Sequence, residues 1–124
     1  NAYVPGGSQA GVVTVDPVRL ADTREAGVAV RAGGVLRVRV AGRGGVPGSA
    51  VAAVLNVTVA GPADAGHLTV FACTSKVPNA SNVNYVAGQT VPNAVVAKLS
   101  AEGDVCIRSH ASAHVIVDVN AYIP

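Results

Sequence analysis

The fold turns on the stretch Val51-Ala52-Ala53-Val54-Leu55-Asn56-Val57-Thr58-Val59. Read with period two, it puts Val51, Ala53, Leu55, Val57 and Val59 on one face and Asn56 and Thr58 on the other. That alternation marks a half-buried β-strand. Val and Thr are stiff at χ1, which suits a pleated sheet better than a helix. The same pattern recurs on both sides. Upstream, Val35-Leu36-Arg37-Val38-Arg39-Val40 turns Leu36, Val38 and Val40 inward and Arg37 and Arg39 toward water. Before it lie Val12 to Val15 and the run Val18-Arg19-Leu20-Ala21-Asp22-Thr23-Arg24. Downstream come His67 to Cys73, Asn82 to Val86, Asn93 to Leu99, Val105 to Ser109 and Val115 to Ile123. Gly, Pro and Asn punctuate these runs, and no segment carries a convincing helical period. The expected fold is all-β: a single-domain β-sandwich of about eight or nine short strands with one disulfide, with a β-barrel or β-trefoil as the alternative.

Composition agrees. The 124 residues make one domain. Half are hydrophobic, which excludes a disordered chain. The apolar set is Val 26 and Ala 22 against Phe 1 and Trp 0, so aliphatic packing must supply most of the core. Nine Lys+Arg face seven Asp+Glu without clusters, which leaves no footprint for nucleic acid. No apolar run approaches the roughly 20 residues of a membrane span.

Cys73 and Cys106 each lie in a strand-like run. An even count fits a disulfide, and a disulfide fits an extracellular or cell-surface setting. Two buried free thiols are the other reading. The pair lacks metal-ligand spacing.

The ends of the chain match. Asn1-Ala2-Tyr3-Val4-Pro5 and Asn120-Ala121-Tyr122-Ile123-Pro124 differ only at Val against Ile. Residues 1–11 are therefore read as the tail of a preceding copy plus a Gly-rich linker, and residues 12–124 as the module, one unit cut from a tandem array. Two similar edge strands within one domain would give the same match.

Few residues suggest chemistry. His110 and His114 bracket Ala111-Ser112-Ala113, read as a hairpin-like turn with exposed histidines, and no third metal ligand is evident. No G-x-S-x-G elbow is present, and the acids are scattered, so catalysis is not expected. Asp22 and Asp118 interrupt apolar runs, which is costly for an acid unless it is paired or exposed. With Arg24 they are read as structural polar residues. The polar stretch from Asn79 to Asn93 stands out. Asn82, Asn84, Gln89 and Asn93 offer donors and acceptors suited to sugar hydroxyls, and Tyr85 offers a stacking face. The competing reading is that these amides satisfy loop backbone. The absence of Trp argues against a flat platform for crystalline polysaccharide. Seven Arg against two Lys, with much Ala, Val and Gly, looks like a GC-rich bacterial genome.

The ordered set Asp22-Thr23-Arg24, Val40-Ala41-Gly42-Arg43-Gly44-Gly45-Val46-Pro47, Leu55-Asn56-Val57-Thr58, Ser81-Asn82-Val83-Asn84, Gly88-Gln89-Thr90 and Val117-Asp118-Val119-Asn120-Ala121-Tyr122 resembles a poorly characterised module repeated in secreted and cell-surface proteins of actinobacteria. Members often end in Gly-Tyr-Phe where this chain has Ala121-Tyr122-Ile123. The resemblance implies export, a disulfide and a β fold, beside catalytic or adhesive domains or in arrays, and assigns no activity. The expected function is thus a non-catalytic extracellular module that attaches its parent protein to a surface or polysaccharide, with no cofactor. Its expected partners are a polysaccharide or cell-wall glycan and neighbouring copies of itself. A purely structural spacer is the alternative and a hydrolase a distant third.

Overall fold

The computed structural model describes residues 11–124, so the expected tail of a preceding copy lies outside the described residues, Gly11 apart. Eight strands and one helical turn follow in the order β1 (Val13–Asp22), α1 (Thr23–Ala26), β2 (Val35–Arg39), β3 (Ala52–Ala60), β4 (Gly66–Ala72), β5 (Val83–Tyr85), β6 (Val91–Lys98), β7 (Asp104–Ser109) and β8 (His114–Ile123). They form two four-stranded antiparallel sheets, β1-β8-β3-β6 and β2-β7-β4-β5. Two separate sheets face each other across one core, which is the sandwich arrangement rather than a closed barrel or trefoil.

Proline helps to explain the strand order. Pro17 falls in β1 and Pro92 in β6, and these are the two edges of the first sheet. A proline cannot donate to a ladder, so it is tolerated only where one side of the strand is unpaired. The central strands β3 and β8 contain none. A register shift between Thr14 and Val18 takes up Pro17, so the two runs read separately from sequence form one irregular strand.

The core is aliphatic. Leu55, Val57, Val59, Val115, Val117 and Val119 of the first sheet are fully buried, as are Leu68, Val105 and Ile107 of the second. Burying each such side chain contributes about 1.5–3 kcal/mol. The single Phe, Phe71, lies outside this cluster, on the outer face of the second sheet opposite Cys106. Val51 departs from the expected pattern: it precedes β3 and is half exposed. Its N–H is tied to Ile123 O and its carbonyl to Leu99 N–H, so the backbone pairs while the side chain turns out.

Only β4 and β5 are consecutive strands that neighbour each other in a sheet; every other connection crosses between sheets. The segment from His110 to Ala113 is therefore a crossover and not a hairpin turn. The β6–β7 turn depends on Gly103, at φ 86°, whose carbonyl accepts from the N–H groups of Val40 and Ala41. A Cβ there would sit 2.3 Å from that of Ala41.

No helix of the described residues is long and apolar enough to cross a membrane.

Candidate functional site

The disulfide Cys73–Cys106 joins the end of β4 to the middle of β7 across 33 residues of sequence, with the Cα atoms 4.9 Å apart. Alternation along β7 buries Val105, Ile107 and Ser109 inward and turns Asp104, Cys106 and Arg108 outward. Along β4 the outward residues are His67, Thr69 and Phe71. The disulfide thus lies on the outer face of the sheet and fastens the start of the β4–β5 loop there.

Further bonds hold the rest of that loop down. Thr69 Oγ1, 2% exposed, donates to Ala80 O at 2.7 Å. Asn82 Oδ1 accepts from Val70 N–H at 2.7 Å, and Asn82 N–H donates to Leu68 O at 2.8 Å. Asn93 Nδ2 donates to Asn82 O at 2.6 Å. Between the pinned loop and the sheet lies an open groove of about 340 Å³. Its sheet side is His67, Thr69 and Arg108, and its loop side runs from Val77 to Ser81. The volume falls at the small end of ligand sites. A second cleft of about 290 Å³ beside Val28 and Leu36 is the more apolar of the two.

The residues singled out from sequence fare differently. Tyr85 is 4% exposed, so its ring offers no face to a sugar. Val83 and Tyr85 point inward together, and only Asn84 between them is exposed. The Tyr85 hydroxyl belongs to a buried network. Ala111 N–H donates to it at 3.0 Å, Ser109 Oγ donates to Ala111 O, and the phenol stands 3.0 Å from Ser109 Oγ. Asn82 and Asn93 are spent on the loop bonds above. Gln89 Oε1 accepts from Val86 N–H at 3.0 Å and closes its own turn. All three amides thus make backbone-satisfying bonds of the kind set against ligand contact in the sequence reading. Asn84 alone of the five is exposed with no side-chain hydrogen bond among the described residues. It stands opposite His67 in the β4–β5 register, beside the groove.

His67 and Arg108 line the groove, and the reading of the polar stretch did not single them out. The signal was present in the alternation of His67-Leu68-Thr69 and Ile107-Arg108-Ser109, but their meeting depends on the β4–β7 register. His67 stacks on His110, with ring centroids 5.2 Å apart and an interplanar angle of 21°. His114 is not a free loop residue: its Nδ1 stands 2.9 Å from Thr23 Oγ1, which also accepts from Val115 N–H. No group of three or more His, Cys, Asp or Glu is placed to hold a metal among the described residues.

Asp22 and Asp118 lie on the other sheet and Arg24 on the adjoining α1, and none of them lines the groove. Arg24 grips Asp22 with Nε at 3.0 Å and Nη2 at 2.9 Å, while Arg19 Nε donates to Asp118 Oδ1 at 3.0 Å. The Arg24 side-chain bond holds the Asp22 carboxyl below its ordinary value, with the Arg24 N–H and the charges of Arg24 and Arg19 acting the same way against desolvation. Asp22 Oδ1 also caps α1 by accepting from Arg24 N–H at 3.0 Å.

No protein-family profile matches the chain, and no curated protein matches it.

Proposed function

We propose that the chain is a non-catalytic extracellular module that attaches its parent protein to a surface or polysaccharide through weak hydrogen-bonding contacts. The observation that carries this reading is the open polar groove held in shape by the Cys73–Cys106 disulfide. Its exposed rim, Asn79, Ser81 and neighbouring Asn84, presents amide and hydroxyl groups of the kind that bond to sugar hydroxyls. Of the five contact residues expected from sequence, only Asn84 stays in this proposal.

The histidines have roles within the fold. His67 and His110 stack on each other, His114 is bonded to Thr23, and none has a carboxylate hydrogen-bond partner among the described residues. An extracellular setting is supported by the disulfide. Weak single sites gain from repetition, because linked copies raise the effective concentration for the next contact.

Affinity electrophoresis of the purified chain through gels carrying bacterial cell-wall, plant and fungal polysaccharides tests the reading. Retardation by at least one polymer, reduced in Asn84→Ala, is expected. Uniform mobility in every gel would instead favour the spacer, a reading supported by how many of the polar side chains serve the fold itself.

A further inference from the structure

We infer that the groove takes a carboxylate-bearing polysaccharide, a polyuronate, with the Arg108 guanidinium as its anchor. The inference rests on the attachment reading and names its ligand class.

Charge on the outer face of β2-β7-β4-β5 is one-sided. The outward positions of these strands carry Arg37, Arg39 and Arg108 against one carboxylate, Asp104. That carboxylate is already taken: Arg37 Nε donates to Asp104 Oδ2 at 2.6 Å, and Arg39 Nε lies 3.9 Å from Oδ1. Arg108 makes no ion pair among the described residues. The residue is half-buried and lines the groove, with its Nη2 near Gly33, and the fold supplies it no counter-charge among the described residues. A guanidinium so placed has its fork of donors available to an incoming planar carboxylate, which it can meet with two parallel bonds.

The rest of the groove suits a sugar carrying that carboxylate. Asn79 and Ser81 stand exposed on the loop side and half-buried His67 on the sheet side, within one small cleft. These are uncharged or weakly basic groups, fit for hydroxyls, and no acid lines the groove to repel an anion. The groove is open to solvent.

Equilibrium binding of the full chain to polygalacturonate, to fully methyl-esterified polygalacturonate and to a polyglycerol phosphate tests the inference. The ester keeps the sugar backbone and removes the charge. Polygalacturonate should bind at least about tenfold more tightly than either comparison polymer. Arg108→Gln should weaken that binding about tenfold while the disulfide and thermal midpoint persist, and Arg108→Lys should fall between the two. Arg37→Gln, on the same face but outside the groove, should change it little. Equal binding to the methyl ester would overturn the inference and leave glycan attachment standing. Tighter binding to the phosphate polymer, or equal damage from Arg37→Gln, would also overturn it, the latter because it would mean diffuse adsorption. The ester comparison uses the unaltered chain and so holds even if Arg108→Gln fails to fold. Silence toward all three polymers, together with unretarded mobility in the gels above, would remove the attachment reading as well.

Discussion

Tyr85 shows how far a single residue can be read. Its neighbours alternate, with Val83 and Tyr85 on one face and Asn84 on the other, and that pattern alone implied an inward ring. The surrounding amides suggested a binding surface, yet in this sheet the period of two decides which side a ring takes. Tyr85→Phe should destabilise the chain by about 1–3 kcal/mol in urea unfolding, because Ala111 N–H and Ser109 Oγ would lose a buried partner. It should leave polysaccharide retardation unchanged. Asp22 gives a second residue-scale expectation. Its folded-state pKa lies below its unfolded value, so its ionised form adds stability that is fully present above about pH 4 and is lost as pH falls through the folded value. Asp22→Asn keeps a capping oxygen but removes the charge. The gap in unfolding midpoint between the native chain and the variant should stay constant from pH 7 to 5 and narrow below about pH 4.

At the scale of elements, most strands were legible because aliphatic residues alternate with polar ones and turn residues bound them. Their boundaries were less so. Val12 to Val15 and Val18 onward read as two runs because Pro17 lies between them, but an edge strand absorbs a proline. Val51 shares the period of β3 without sharing its burial, since strand and crossover meet there. The β4–β5 loop was legible only in its composition. Its place on the sheet follows from the Cys73–Cys106 bond and from Thr69 and Asn82, each of which needs the register to find its partner. Removing the disulfide as Cys73→Ser/Cys106→Ser should cost about 3–4 kcal/mol on the chain-entropy account. Hydrogen exchange at Val70 N–H, which donates to Asn82 Oδ1, should quicken more than at Val117 in the core, and polysaccharide binding should be lost with the groove. Equal exchange at the two amides would mean that the bond does not hold the loop.

For the whole molecule, the two sheets divide the polar groups between them. On the first sheet Arg19 pairs with Asp118, and Arg24 of α1 grips Asp22 at the end of β1, while Asp16 and Lys98 make no ion pair among the described residues. The second leaves one half-buried guanidinium unpaired beside a groove. Composition could not show this division, because a net charge of +2 says nothing about which face carries it. The candidate site emerged only once strand register brought His67, Arg108 and the loop together, whereas Asn84 was visible from the outset. The aliphatic core makes the fold, and the pinned loop shapes the groove on its outer face.

Backbone amide shifts of the isotopically labelled chain, followed during titration with galacturonate oligosaccharides, test this account most directly. The expected result is a set of saturating changes confined to His67, Asn79, Ser81, Asn84, Arg108 and their neighbours. Unchanged shifts at those positions, or changes gathered instead on β1 and β8, would contradict it.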